Sequence, residues 1–358
     1  MADVQPFRAV HYASASAALV APPYDVVSAE ERERLLAKDP HNVAHLTMAP
    51  DAAEAGRLYR EWLDTGVLVR DDRPAIWVLE QDVNGMDGAP QRRRGIVASL
   101  RAEPYERRVV VPHERTHAEP IDSRLRLLRA VRSQLEPLLF LYEGEAPVQA
   151  ADGPPDLEAA GTRLWRVEQA PVLPTFFADR QVLIADGHHR YETALVYAAK
   201  HGLPGDARVM AVLVSTGDPG LEILAAHRLF ADRPDLDPEG EPCASLGDAL
   251  ARLAAEPWSH AAAVAYRRGV ATLLRGRPGE LDVELVGGFG LDGISYTIDL
   301  QETVARVDRG DADCALLVRP TRIADVFERA RRGEVMPPKA THFYPKLTSG
   351  LLFHPLDD

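Results

Sequence analysis

Short apolar runs alternate with helical apolar stripes along this chain, punctuated by Pro, Gly and Asp. The run Val182-Leu183-Ile184-Ala185 is bounded by the polar pair Asp186-Gly187, the pattern of a buried strand. Behind it Tyr191, Ala194, Leu195, Ala198 and Ala199 recur at three and four residues, which predicts an amphipathic helix ending near Gly202. Similar runs predict strands at 75–81, 94–100, 108–111, 138–142, 163–167 and 209–214. The turn pairs Asn84-Gly85 and Asp87-Gly88 join the first two into a hairpin. Ser28 with Glu31 makes a capping box for a helix through Leu36, and Gly66 closes a helix over 52–65. Asp122 is expected to cap a helix through Ser133, and a short helix is expected at 172–178.

Past Phe230 the stretch 232–242, rich in Pro and acidic residues, reads as a linker. A helix at 245–255, a hairpin from 261–266 and 269–275, a loop at Gly287–Gly290, a helix at 298–307, a strand at 312–318 and a helix at 323–331 follow. The expected fold is α+β: a mixed sheet bearing the strand–Asp-Gly-His-His-Arg–helix unit, covered by helices, with a smaller C-terminal α/β part. The expected domains are 1–231 and 232–358, the last loop (336–351) returning to the site.

Three polar clusters carry candidate chemistry. The first is the strand-to-helix junction. A helix start has free backbone N–H groups and the positive end of the helix dipole, which attract an anion. Gly187 lets backbone approach a ligand and Arg190 can fork onto phosphate oxygens. His188, His189 and Asp186 stand beside that cradle. The second cluster, Pro112-His113-Glu114-Arg115-Thr116-His117, follows a strand: Glu114 is a candidate base, His113 or His117 an acid, base or ligand, and Arg115 an anion clamp. The third is the C-terminal run 336–351, where Lys339, Thr341, Lys346 and Ser349 are candidate phosphate contacts and Tyr344 a substrate contact. Together they supply what phosphoryl transfer needs: cations, a base near the accepting hydroxyl, and usually Mg2+. Glu114 or Asp186 is the candidate base, and Asp186 alternatively a Mg2+ ligand. His188 and His189 are adjacent, so on a helix they point about 100° apart and do not easily share one Zn2+.

The run Ala185 to Leu195 resembles the hallmark of a bacterial and archaeal domain-of-unknown-function family, number ten-fifteen, related to the ParB/sulfiredoxin superfamily. Sulfiredoxins carry a Gly-Cys-His-Arg-Tyr-Glu run and ParB proteins a Gly-Glu-Arg-Arg box, both binding nucleotide phosphates at a helix start. Free serine kinases of that superfamily use an Asp-Gly-His-His-Arg run, present here as Asp186 to Arg190. The family resemblance extends over nearly the whole chain and takes in Pro23, Tyr24 and Asp25, His41 to Leu46, Pro112 to Thr116, His227 with Arg228, and the C-terminal run, where Pro338 and His342 depart from the pattern. It implies that Tyr24, Asp25 and His113 belong to the substrate site, although turn chemistry alone also accounts for Tyr24 and Asp25. It implies a ParB/sulfiredoxin-like core and a phosphotransferase acting on a small hydroxyl-bearing metabolite, serine or phosphoserine, with ATP, ADP or pyrophosphate as partner. The alternatives are a nucleotide-binding ParB-like regulatory module and a phosphodiesterase or nuclease.

Bulk properties narrow these classes. With 358 residues there is room for about two domains. A formal net charge of −13 argues against broad binding to nucleic acid or an anionic membrane, but not against a local cationic pocket. Two cysteines, Cys243 and Cys314, are too few for a disulfide framework, which with the lack of a signal pattern leads to the expectation of a cytoplasmic protein.

Overall fold

The computed structural model describes residues 1–85, 88–150, 152–201 and 207–357. The predicted turn residue Asp87 and the predicted helix end at Gly202 lie outside them. The chain divides into two compact units, one of Met1–Glu222 with Pro345–Asp358, the other of Ile223–Tyr344. Among the described residues no helix is long and apolar enough to cross a membrane.

A nine-stranded mixed sheet organises the first unit. The strand Val182–Asp186, second from one edge, lies parallel to Val110–Val111 on one side and antiparallel to Leu138–Tyr142 on the other. Leu138–Tyr142 runs parallel to Arg208–Ser215, which pairs antiparallel with Pro90–Arg101. The predicted hairpin then joins Pro90–Arg101 to Ile76–Asn84, Thr162–Val167 and Leu157–Ala159 complete the order, and Val4–Gln5 adds a ninth strand antiparallel to Pro90–Arg101. Val182, Leu183 and Ile184 are fully buried, which is why this strand reads as an unbroken apolar run rather than an alternating one. Its pairing with Leu138–Tyr142 shifts register between Ile184 and Asp186, so the regular ladder ends where the polar residues begin.

The following helix, His188–Lys200, lays Tyr191, Ala194 and Ala198 into the core under the sheet. Ala199, expected on the same face, is exposed, because the helix rotates about 100° per residue and its last turn has swung off the sheet. Local capping is as expected at Ser28, whose hydroxyl accepts from Glu31 N at 3.1 Å above the Ala29–Lys38 helix. It differs at 118–131: the helix begins at Ala118 with His117 at the cap, and Asp122 lies inside it. Pro120 sits in the first turn, where its missing N–H leaves no helical bond unmade, so the helix starts earlier than the Asp122 signal suggests.

The second unit is built on a six-stranded antiparallel sheet. His227–Phe230 is one of its inner strands, paired with Ile294–Thr297 and Cys314–Leu317, so this unit begins ahead of residue 232. The stretch read as a linker contributes the edge strand Glu241–Pro242 and a buried Leu236, and is part of the unit's packing. The 287–290 loop follows a short helix, Asp282–Gly287, that apolar periodicity did not reveal.

Candidate active site

Gly187 turns the chain from strand to helix with φ +97°. A Cβ there would lie 2.9 Å from Leu138 Cγ and 3.1 Å from Arg190 Nη2. Gly187→Ala therefore combines a left-handed backbone, costing about 1–2 kcal/mol, with a close contact to a buried leucine. We expect a loss of about 2–3 kcal/mol in denaturant unfolding, and an unchanged midpoint would contradict this geometry.

The two imidazoles at the helix start bind the 113–117 loop. His113 N–H lies 3.5 Å from His188 Nε2, and His117 N–H donates to His189 Nε2 at 3.1 Å. Each Nε2 is thus an acceptor, which leaves the ring proton on Nδ1. His188 Nδ1 stands 4.0 Å from Glu114 Oε2, whose side chain remains 43% exposed. His113 is buried against His188 with ring centroids 4.7 Å apart, and its Nδ1 meets the Ile184 carbonyl at 2.8 Å. Burial pushes His113 down to about 4, although the Ile184 carbonyl and Asp186 favour its proton. Burial, with His113 as a neighbour, holds His188 well below the ordinary histidine range, and burial with His117 beside it lowers His189.

These shifts carry a pH dependence. A buried histidine with a depressed pKa binds fewer protons folded than unfolded. The stability this confers is complete above pH 6.5 and is lost as pH falls from 6.5 towards 4. A displacement of that size corresponds to about 3 kcal/mol for His113. Chemical denaturation of the wild type should weaken across that window, and His113→Gln should flatten the slope.

Asp186 ends the strand between two cations. Lys346 Nζ lies 2.6 Å from Oδ1 and Arg190 Nη2 3.1 Å from Oδ2. Burial alone would raise the Asp186 pKa, but Lys346 and Arg190 outweigh it and hold the carboxyl below its usual range. Arg190 turns back along the strand rather than outward: its Nη1 donates to the Pro137 carbonyl at 2.7 Å. Burial works against the Arg190 charge, yet Glu136, Asp186 and Asp25 hold its pKa above the usual range. Among the described residues no three His, Cys, Asp or Glu side chains gather to hold a metal. Both oxygens of Asp186 are taken by cations, so the residues here do not fit a Mg2+ ion on Asp186.

Lys346 reaches Asp186 because its backbone is anchored to the sheet hairpin. Gln81 Nε2 donates to the Lys346 carbonyl at 2.8 Å, and Arg93 donates to the Pro345 carbonyl at 2.7 Å and to Gln81 Oε1 at 2.6 Å. Arg93 has no exposed surface, and that burial lowers it to about 10. Ser349 is also fully buried and gives its hydroxyl to Glu136 Oε1 at 3.1 Å rather than to open space. Tyr24 N–H donates to the same oxygen at 3.1 Å, and the Tyr24 ring lies under the Arg124 guanidinium at 3.9 Å. Asp25 is exposed next to them, and Arg115 is exposed on the 113–117 loop. Lys339, Thr341 and Tyr344 belong to the second unit, with Lys339 exposed at φ +55°. His227 and Arg228 are buried in that unit's sheet.

Glu136, Gln81 and Arg93 were not singled out in the sequence. Glu136 had one signal, a carboxylate one residue before Pro137 at the mouth of an unbroken apolar strand, where burial of a charge calls for partners. Gln81 and Arg93 had none: each lies in an unbroken polar run, Glu80-Gln81-Asp82 and Gln91-Arg92-Arg93-Arg94, that does not show which member turns inward.

The chain belongs to the family described as "Protein of unknown function (DUF1015)", whose pattern matches residues 4–274. Among solved structures it is similar to a free serine kinase in complex with AMP, at 14% identity over 71% of this chain and 92% of that one, with a TM-score of 0.41. It is similar to a conserved hypothetical protein from Pyrococcus furiosus, at 15% identity over 69% and 90% with a TM-score of 0.38. It is similar as well to SbnI with a C-terminal truncation from Staphylococcus aureus, at 14% identity over 70% and 85% with a TM-score of 0.38. No curated protein matches the chain.

Proposed function

We propose that this chain is a phosphotransferase acting on a small hydroxyl-bearing metabolite, serine or phosphoserine, with ATP, ADP or pyrophosphate as the phosphate partner. The observation that carries this reading is the half-buried Glu114 carboxylate, 4.0 Å from the neutral His188 imidazole at a helix start, with Asp186 two residues before it gathering Lys346 and Arg190. The Asp-Gly-His-His-Arg run, Asp186 to Arg190, which resembles that of free serine kinases, supports it from the sequence side.

In this reading the phosphate docks on the free N–H groups of residues 188–190, with the positive end of the helix dipole behind them. Glu114 takes the proton of the accepting hydroxyl as its oxygen attacks phosphorus. The bond from phosphorus to the leaving phosphate oxygen breaks, and that oxygen keeps the electron pair. Lys346 and the helix N–H groups hold the charge that develops on the leaving group. His188 and His189 position the Glu114 loop, because both accept its backbone N–H groups and neither is cationic at neutral pH. Asp186 keeps Lys346 beside the turn. A Mg2+ ion bound to the nucleotide would bring its own phosphate and water ligands.

Incubating the protein with Mg2+, L-serine and ATP, ADP or pyrophosphate, and following phosphorus by NMR, tests this. Phosphoserine is the expected product. Nucleotide turnover without phosphoserine favours a regulatory module, and cleavage of added nucleic acid favours a nuclease. Nucleotide binding without turnover of any kind overturns the enzyme reading.

A further inference from the structure

Stretches remote in sequence close on one buried carboxylate within the first unit. Glu136 is only 5% exposed, and its Oε1 accepts twice, from Tyr24 N–H and from the Ser349 hydroxyl. The two donors are themselves joined. Ala21 N–H donates to the Ser349 carbonyl at 3.2 Å, and Ser349 N–H to the Ala21 carbonyl at 2.9 Å. Residues 21–24, Ser349 and Glu136 therefore form a closed ring. Pro137, the next residue, gives its carbonyl to Arg190, which ties that ring to the helix start. Two groups of the site hang from it. Lys346 lies three residues before Ser349 and reaches Asp186, with its own carbonyl held by Gln81 and Thr348 Oγ1 standing 3.0 Å from Thr162 Oγ1. Tyr24 is followed by Asp25, whose charge favours the cationic form of Arg190.

Glu136 serves the ring as an acceptor more than as a charge. Burial pushes its carboxyl up, against the pull of Arg190. Arg190 also has a carboxylate of its own in Asp186, at 3.1 Å. A neutral acceptor of the same shape keeps both bonds, whereas removing the acceptor strands the Tyr24 N–H and the fully buried Ser349 hydroxyl. A group that stabilises developing charge works only in the right place, so what fixes its backbone bears on the rate. We propose that Glu136 is a positioning residue for phosphoryl transfer, holding the 21–25 turn and the Lys346 arm together beside the Gly187 turn. It acts through Lys346 and touches no reacting atom. The effect on rate rests on the phosphotransferase reading, while the ring itself is open to test without turnover.

Amide hydrogen exchange and turnover, both measured on the full-length protein, test it together. Glu136→Ala should speed exchange of the Ala21, Tyr24 and Ser349 amides by about tenfold or more, while the Val182–Asp186 amides stay within about threefold of wild type. It should lower kcat by about ten- to a hundredfold, the scale of a small misplacement, with the nucleotide KM within about threefold. Glu136→Gln, whose amide oxygen accepts both bonds, should restore slow exchange and return kcat to within about threefold of wild type. Ser349→Ala removes one bond and leaves Glu136 in place, so it decides the matter if Glu136→Ala does not fold. It should speed exchange at Ala21 and Ser349 and lower kcat by about three- to tenfold at unchanged KM. Exchange rising evenly along the chain overturns the proposal, as does Glu136→Gln turning over as slowly as Glu136→Ala. Selective exchange in a protein that forms no phosphoserine refutes the phosphotransferase reading and leaves the ring standing. Phosphoserine formation with kcat unmoved by Glu136→Ala and Ser349→Ala does the reverse.

Discussion

Glu114→Gln is expected to lower kcat for phosphoryl transfer by about 10²–10⁴-fold, the usual contribution of a positioned general base, with KM for the nucleotide and the thermal midpoint nearly unchanged. The amide keeps the shape of the side chain and cannot take the proton. Glu114 is half-buried and stands 4.0 Å from the His188 imidazole, which burial holds neutral. A rate within threefold of wild type would remove Glu114 from the chemistry. A lowered midpoint would mean that the loop pinned by His188 and His189 had shifted, and His189→Gln would then reproduce the defect by freeing the His117 N–H.

Asp186→Ala is expected to destabilise the fold about as much as Gly187→Ala. It leaves Lys346 and Arg190 as neighbouring, mostly buried cations with no carboxylate between them. Removing one partner of a buried pair costs about 3–5 kcal/mol. The side chains here retain 11–20% exposure, so about 2–3 kcal/mol is the better expectation. The sign with pH is opposite in origin to that of a raised acid. Asp186 has a depressed folded pKa, so the stability it confers is present above its unfolded value near 4 and is lost as pH falls through the lower folded value. The histidine contribution disappears earlier, between pH 6.5 and 4. Denaturant titrations of Asp186→Asn should therefore keep the upper slope and lose the lower one. Lys346→Met added to Asp186→Ala should restore part of the loss, because it removes one of the two stranded charges. Additive effects of the two substitutions would mean that the pair is not coupled in solution.

Much of the local structure was readable from the residues. The Val182–Asp186 strand is apolar on both faces because it is covered on both, and Gly187 marks the positive φ needed at the strand-to-helix turn. Capping at Ser28 follows from a hydroxyl one residue ahead of the helix. The reading failed where a local signal competed with a better one. Asp122 is a good cap by type, but Pro120 let the helix begin at Ala118. Acidic and proline-rich residues 232–242 look solvent-bound, yet Glu241–Pro242 forms an edge strand beside Val270–Pro278.

The candidate site divides the same way. Sequence by itself determined the strand–glycine–helix junction, the order of His188, His189 and Arg190 around the first turn, and the polar loop after the Val110–Val111 strand, because all of these depend on neighbours a few residues apart. Only the tertiary structure decided that Lys346, 160 residues downstream, stands on Asp186, that Glu136 gathers Tyr24 and Ser349, and that Arg190 faces inward. Those partners are chosen by sheet order and by the burial of charge, which must find an opposite charge wherever the fold brings one within reach. No spacing along the chain records that choice.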